Sequence, residues 1–177
     1  MKLYVNSNHE IELADLEYNG SAVTDAVVTA MVCRAKAIAV TAVEQNGGTK
    51  ITVAGHKLTA GDKARIVGSR NYDKVVEIQS VVDGDSVIID ADYHSEPDIN
   101  AKLYAVVHRG KIDLEPDTDK PGRYAGVMGH DIQTVPGMRY KLFVEAAAEI
   151  DGVHCRLLAA RELQAEFFDK RHIYTKV

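Results

Sequence analysis

Apolar and polar residues alternate along most of this chain in runs of four to nine, and turn-forming residues interrupt the runs at close spacing. A period of two is the signature of strands with one face inside and one face out. Strands are therefore predicted at Lys2–Val5, Glu10–Leu13, Val27–Arg34, Ile38–Gln45, Thr49–Val53 and Lys63–Val67. Further strands follow at Val75–Val82, Ser86–Asp90, Lys102–His108, Arg123–Val127, Tyr140–Ala147 and Val153–Ala160. The turns carry their own reasons. Asn19-Gly20, Asn46-Gly47-Gly48, Gly61-Asp62, Asp83-Gly84-Asp85 and Asp151-Gly152 offer positions that tolerate left-handed backbone. Many short strands between such turns indicate a mainly β chain of the sandwich or barrel kind.

Two segments have helical character. Asp25–Lys36 is alanine-rich, but its Val-Val-Thr and Met-Val-Cys triplets favour extended chain, and a strand is expected there. Ala159–Lys170 contains good helix formers and is the best candidate for a short C-terminal helix, with a strand continuing from Val153 as the alternative. The middle of the chain forms a self-contained series of hairpins, whereas its flanks read as two halves of another β domain. The expected organisation is a sandwich built from residues 1–36 and 106–177, with a small barrel of residues 37–105 inserted into one of its loops.

Composition adds few constraints. The 177 residues, 46% hydrophobic and 27% charged, suffice for a cored globular chain. A net charge of -5 argues against a nucleic-acid partner or a membrane surface, both of which call for a basic face. No apolar stretch is long enough to cross a bilayer as a helix, and Met1–Val5 lacks the apolar centre of a signal peptide, so assembly in a cytoplasm is expected. In that setting Cys33 and Cys155 read as buried free thiols, and Asn19-Gly20-Ser21 as a turn rather than a glycosylation site.

Four motifs carry a resemblance. Tyr18-Asn19-Gly20-Ser21-Ala22-Val23-Thr24-Asp25-Ala26-Val27-Val28-Thr29-Ala30 resembles the start of immunoglobulin-like domains in virion proteins of tailed bacteriophages. Pro121-Gly122-Arg123-Tyr124-Ala125-Gly126 and Pro136-Gly137-Met138-Arg139-Tyr140 are similar to later strands of the same domains. The resemblance implies a tyrosine corner at Tyr140, its hydroxyl bonded to upstream backbone, with Gly137, Gly122 and Tyr124 as motif positions. Between these lies a segment from Lys50 to Ile66, with His56, Leu58, Gly61 and Asp62 at its centre. It resembles hairpins of small barrels in phage tail and neck proteins, comparable to a half-domain of ubiquitin-activating enzymes. That likeness implies Leu58 plugging the barrel, Gly61-Asp62 turning the chain, Ile66 facing inward and His56 capping backbone. The antibody-type disulfide is not implied, and the tail beyond Ala160 matches nothing in the family.

The implied fold is thus an immunoglobulin-like sandwich with an inserted small β-barrel. The implied role is a non-enzymatic structural component of a virion, at the capsid surface, neck or tail. Its partners would be other virion proteins and further copies of itself. A module of a tail appendage that binds host-surface glycan is the alternative, although the chain has no tryptophan and only 6% aromatic residues.

Candidate chemistry is sparse. The seven histidines, His9, His56, His94, His108, His130, His154 and His172, form no close ligand pair of the kind a zinc site uses. Asp83-Gly84-Asp85 has its glycine at position 2 and not at position 6 as an EF-hand loop requires, so a hairpin turn is expected, with a loop calcium site as the alternative. No nucleophile elbow and no glycine loop preceding a helix occurs. No catalytic, metal or cofactor residue is therefore assigned. The acidic, proline-punctuated segment Ile112–Pro121 reads as an exposed connection or a contact arm, with Asp117 and Asp119 as possible partner contacts. Phe168 and Tyr174 in the C-terminal tail are candidates for the same role, or for packing on their own domain.

Overall fold

β-Branched residues extend the backbone, but a strand persists only where neighbours take up its N–H and C=O groups. The computed structural model describes residues 2–4, 7–97 and 99–166. The chain is mainly β, with large antiparallel sheets and no helix among the described residues. It divides into two compact units, Met1–Val32 with His108–Val177, and Cys33–Val107. The sequence placed these junctions at 36/37 and 105/106.

The central unit contains β6 (Ile38–Val40), β7 (Ala42–Gln45), β8 (Thr49–Thr52), β9 (Lys63–Val67), β10 (Val75–Asp83) and β11 (Ser86–Ile89), together with the first part of β12 (Ala101–Pro116). Pairing runs β6-β12-β9-β10-β11-β8-β7. The expected single strand Ile38–Gln45 is broken at Thr41, whose N–H donates to the Thr52 carbonyl at 3.0 Å. β6 then pairs with β12, and β7 with β8. The two halves of one run thus occupy the two ends of the pairing path. Ile51, Val53, Leu58, Ile66, Ile78, Val87, Ile89 and Leu103 form the core beneath. Burying each such side chain stabilises the fold by about 1.5–3 kcal/mol.

One charged residue lies in that core. Arg65 of β9 is fully buried. Its guanidinium donates to Asp73 Oδ1 at 2.6 Å and to the Ile66 carbonyl. Asp73 Oδ2 also accepts from the Gly68 N–H at 3.0 Å. A buried cation is tolerated only when it is paired and hydrogen-bonded in this way.

The other unit is formed by β1 (Lys2–Tyr4), β2 (His9–Leu13), β3 (Glu17–Tyr18), β4 (Ser21–Ala22) and most of β5 (Val27–Arg34), with the end of β12, β13 (Tyr124–Met128), β14 (Arg139–Ile150) and β15 (Val153–Glu166). β13 lies between β12 and β2. β14 and β15 form a long hairpin in unbroken register from Arg139↔Gln164 to Ile150↔Val153. Its turn, Asp151-Gly152, has φ of 52° and 75°, the two positive values of a type I′ turn. Asn19-Gly20 closes the β3–β4 hairpin with φ of 51° and 79°. Gly84 does not adopt left-handed backbone. That turn is held instead by Asp83 Oδ1, which accepts from the Asp85 N–H at 2.8 Å.

Three expectations are corrected. Residues 159–166 are strand, not helix: β15 continues in register with β14, and Leu163 and Ala165 are buried at a spacing of two. Tertiary pairing outweighs the helix propensity of Ala, Arg, Glu and Gln. The remainder of the expected helix, with Phe168 and Tyr174, lies outside the described residues. The segment from Ile112 is not a loop until Asp117, because Ile112 and Leu114 are buried while Asp113 and Glu115 face solvent, and β12 runs through Pro116. Its acidic residues are the outer half of an amphipathic strand. Finally, both cysteines are free, but only Cys33 is buried, whereas Cys155 is half-buried.

Candidate functional site

The described motif residues lie at three places, His56–Asp62 in the central unit and the Gly122/Tyr124 and Gly137/Tyr140 turns in the other, and at each they hold backbone in position. In the central unit the chain from Val53 to Asp62 wraps on the β10–β11 turn. His56 is buried, its Nδ1 accepts from the Leu58 N–H at 3.2 Å, and its Nε2 lies 3.0 Å from the Asp83 carbonyl. An acceptor at Nδ1 and a carbonyl at Nε2 together require the neutral Nε2–H tautomer. Gly55 donates to Asp85 Oδ1 at 2.8 Å. Leu58 sits in the core. Gly61, at φ +87°, donates to the Ile78 carbonyl, while Asp62 Oδ2 accepts from the Thr59 N–H at 2.7 Å.

In the other unit both Pro-Gly motifs form type II turns, which need proline first and a positive φ second. Arg123 N–H donates to the Lys120 carbonyl at 3.0 Å across Pro121-Gly122, and Met138 N–H to the Val135 carbonyl at 3.1 Å across Pro136-Gly137. Tyr140 is buried, and its hydroxyl accepts from the Val135 N–H at 2.8 Å. Tyr124 is the more deeply engaged ring. It is fully buried, its hydroxyl donates to the Val23 carbonyl at 3.0 Å and accepts from the Ala26 N–H at 2.9 Å. Asp117 organises its own loop, accepting from the Asp119 N–H at 3.0 Å and from Arg123 at 3.2 Å. Asp119 is exposed.

The cavities lie elsewhere. An apolar groove of about 430 Å³ runs between the β3–β4 hairpin and the tip of the β14–β15 hairpin. Leu16, Tyr18 and Val23 line one side, and Ala146, Ile150 and Leu157 the other. Arg156 lies at its margin, with Nε 2.6 Å from Glu145 Oε1. A polar recess of about 480 Å³ shares Tyr18, Val23 and Ile150 with it, and adds Asn19, Ser21, Asp25, Glu149 and Asp151. Residues of the first sequence motif, Tyr18 and Val23 above all, line both cavities, whereas His56, Leu58, Gly61, Asp62, Gly122, Tyr124, Gly137 and Tyr140 line neither. The turn Asn19-Gly20 was visible in the sequence, but the two-residue strands beside it were too short to give an alternation.

The perturbed groups are consistent with structural duty. Burial pushes the Cys33 thiol up to about 12, against an opposing pull from the Arg65 charge. Burial disfavours an ionised Glu96 carboxylate, but hydrogen bonds from Arg70, Ser69 and Asn71 outweigh it and hold the group below its ordinary value. The Glu12 hydrogen bond raises the Arg123 guanidinium further. No cluster of three or more metal-ligating side chains occurs among the described residues.

Fold and cavities together define a mainly β protein whose marked polar residues brace turns. Comparisons with protein-family models, with curated proteins and with solved structures return no match.

Proposed function

We propose that this chain is a non-enzymatic structural component of a tailed-phage virion, acting through protein–protein contacts in assembly. The observation that carries the reading is the use to which the motif residues are put. His56, Asp62, Tyr124 and Tyr140 each secure backbone at a turn. Such bracing presents rigid β surfaces and loops, which is what a repeating assembly needs. The motifs of the central unit, nested within those of the flanking unit, support the same reading.

The finer architecture belongs to this proposal. The central unit is read as a small barrel, because the pairing path ends on β6 and β7, two parts of one run separated by Thr41 alone. The flanking unit is read as an immunoglobulin-like sandwich, with Tyr140 as its tyrosine corner. A second reading, glycan binding, is favoured by one feature: Tyr18 stands half-exposed at the polar recess, among Asn19, Ser21 and Asp25.

Gold-antibody labelling of phage particles, viewed by electron microscopy, tests the proposal. Label on capsid, neck or tail supports it and gives the position. Unlabelled particles from a lysate that contains the chain overturn it. A glycan array without binding removes the second reading.

A further inference from the structure

Among the described residues β15 has an edge that is paired over only part of its length. Its inner side is taken by β14 throughout, but its outer side is covered only at Gln164–Glu166, where β1 runs parallel to it. Among the described residues no strand pairs with the outer side from Val153 to Leu163. This stretch contains no proline and no bulge, two of the devices that blunt an edge, and carries charge at Arg156, Arg161 and Glu162. Val153 and Leu157 on it are 55% and 43% exposed.

The hairpin turn settles which backbone groups point outward. In a two-residue type I′ hairpin the flanking residues form a hydrogen-bonded pair, and such pairs then recur at every second residue. Val153 and the odd positions therefore bond to β14, as the Ala165 N–H donating to the Met138 carbonyl at 3.0 Å illustrates. Arg156, Leu158, Ala160 and Glu162 direct N–H and C=O outward. Only another strand, itself with outward groups at every second residue, can satisfy that row.

We infer that the occupant is β15 of a second copy of this chain, antiparallel, about a two-fold axis at Ala159. The alternation permits only registers that pair even positions with even. The register centred on Ala159 sets Arg156 opposite Glu162 and Glu162 opposite Arg156, with Leu158 against Ala160 between them. Centring on Leu158 faces Arg156 with alanine. Centring on Ala160 needs Gln164, which β1 already covers. Up to about eight main-chain hydrogen bonds result, and Arg156, whose Nε is held by Glu145, shares its charge with the partner's Glu162 as a second carboxylate. Small alanines at the axis let the strands meet closely, and Leu157 packs beside the partner's strand at the mouth of the apolar groove. This pairing does not depend on the virion reading.

Sedimentation velocity on the full chain provides the test. The wild type sediments as a dimer. Ala160→Pro removes an outward N–H alone, a substitution an edge strand accepts, and gives a monomer with unchanged circular dichroism. Arg156→Glu and Glu162→Arg each weaken self-association at least about tenfold, and the two variants mixed form a heterodimer, because each supplies the charge the other lacks. Ala159→Cys forms an intermolecular disulfide on oxidation, which the wild type does not. A monomeric wild type overturns the inference. So does a dimer indifferent to Ala160→Pro, or charge variants that fail to pair on mixing.

Discussion

At the scale of the residue, polar side chains in this protein serve to bind backbone. Tyr124 shows the principle best: its hydroxyl satisfies one carbonyl and one N–H of the Val23–Ala26 segment from a fully buried position. Removing one member of a buried hydrogen bond leaves the other unsatisfied, at a cost of about 1–3 kcal/mol. Tyr124→Phe is thus expected to lower unfolding stability by that amount, read from the midpoint of a urea titration at unchanged slope. A loss within error would mean that water replaces the hydroxyl. Tyr124 and Tyr140 were conspicuous in the sequence as Gly-x-Tyr and Gly-x-x-Tyr motifs. The partners of Tyr124 were not, because Val23 lies 101 residues away from it in the chain, whereas Tyr140 meets the Val135 N–H just upstream.

At the scale of the element, alternation and turn chemistry placed most strands, and failed where a neighbour rather than the local sequence decides. Ala159–Glu166 has helix formers but pairs with both β14 and β1. Ile112–Pro116 looked like an acidic loop because its charges alternate with its two buried residues. Gly126 of β13 is a close approach of the same kind, invisible locally. A Cβ there would stand 2.7 Å from the Asp113 carbonyl oxygen of β12. Gly126→Ala therefore forces the β12–β13 pair apart and is expected to cost about 1–3 kcal/mol. Gly84→Ala, with nothing within 4 Å of its Cβ, serves as the control and changes stability by less than about 0.5 kcal/mol. Differential scanning calorimetry of the pair separates packing from the general effect of adding a methyl group.

At the scale of the whole molecule, the two thiols report on folding. Cys33 is fully buried, with its thiol pushed from 9.0 to about 12, and Cys155 is half-buried. A thiol reagent at mildly alkaline pH should modify Cys155 in the native protein, and Cys33 only when the chain unfolds. The sign of the pH effect follows. The folded state favours the neutral thiol, so this contribution is fully present below 9.0 and is lost as pH rises from 9.0 towards about 12. The comparison is wild type against Cys33→Ala in that window, where the substitution removes part of the decline. Equal slopes would show that other groups, lysines and tyrosines, account for it.

The sequence by itself determined what depends on near neighbours: strand content, and turns such as Asn19-Gly20 and Asp151-Gly152 that need left-handed backbone. Those features follow from side-chain alternation and from backbone angles that glycine, asparagine and proline permit. Only the tertiary structure decided what depends on distant partners. It divided Ile38–Gln45 between two neighbours, extended β12 and β15, buried Arg65 against Asp73, and, among the described residues, left the outer side of β15 from Val153 to Leu163 without a strand. The physical reason is that a strand's hydrogen bonds and one of its faces belong to residues far away in the chain, so their satisfaction, or its absence, is written in no single stretch of sequence.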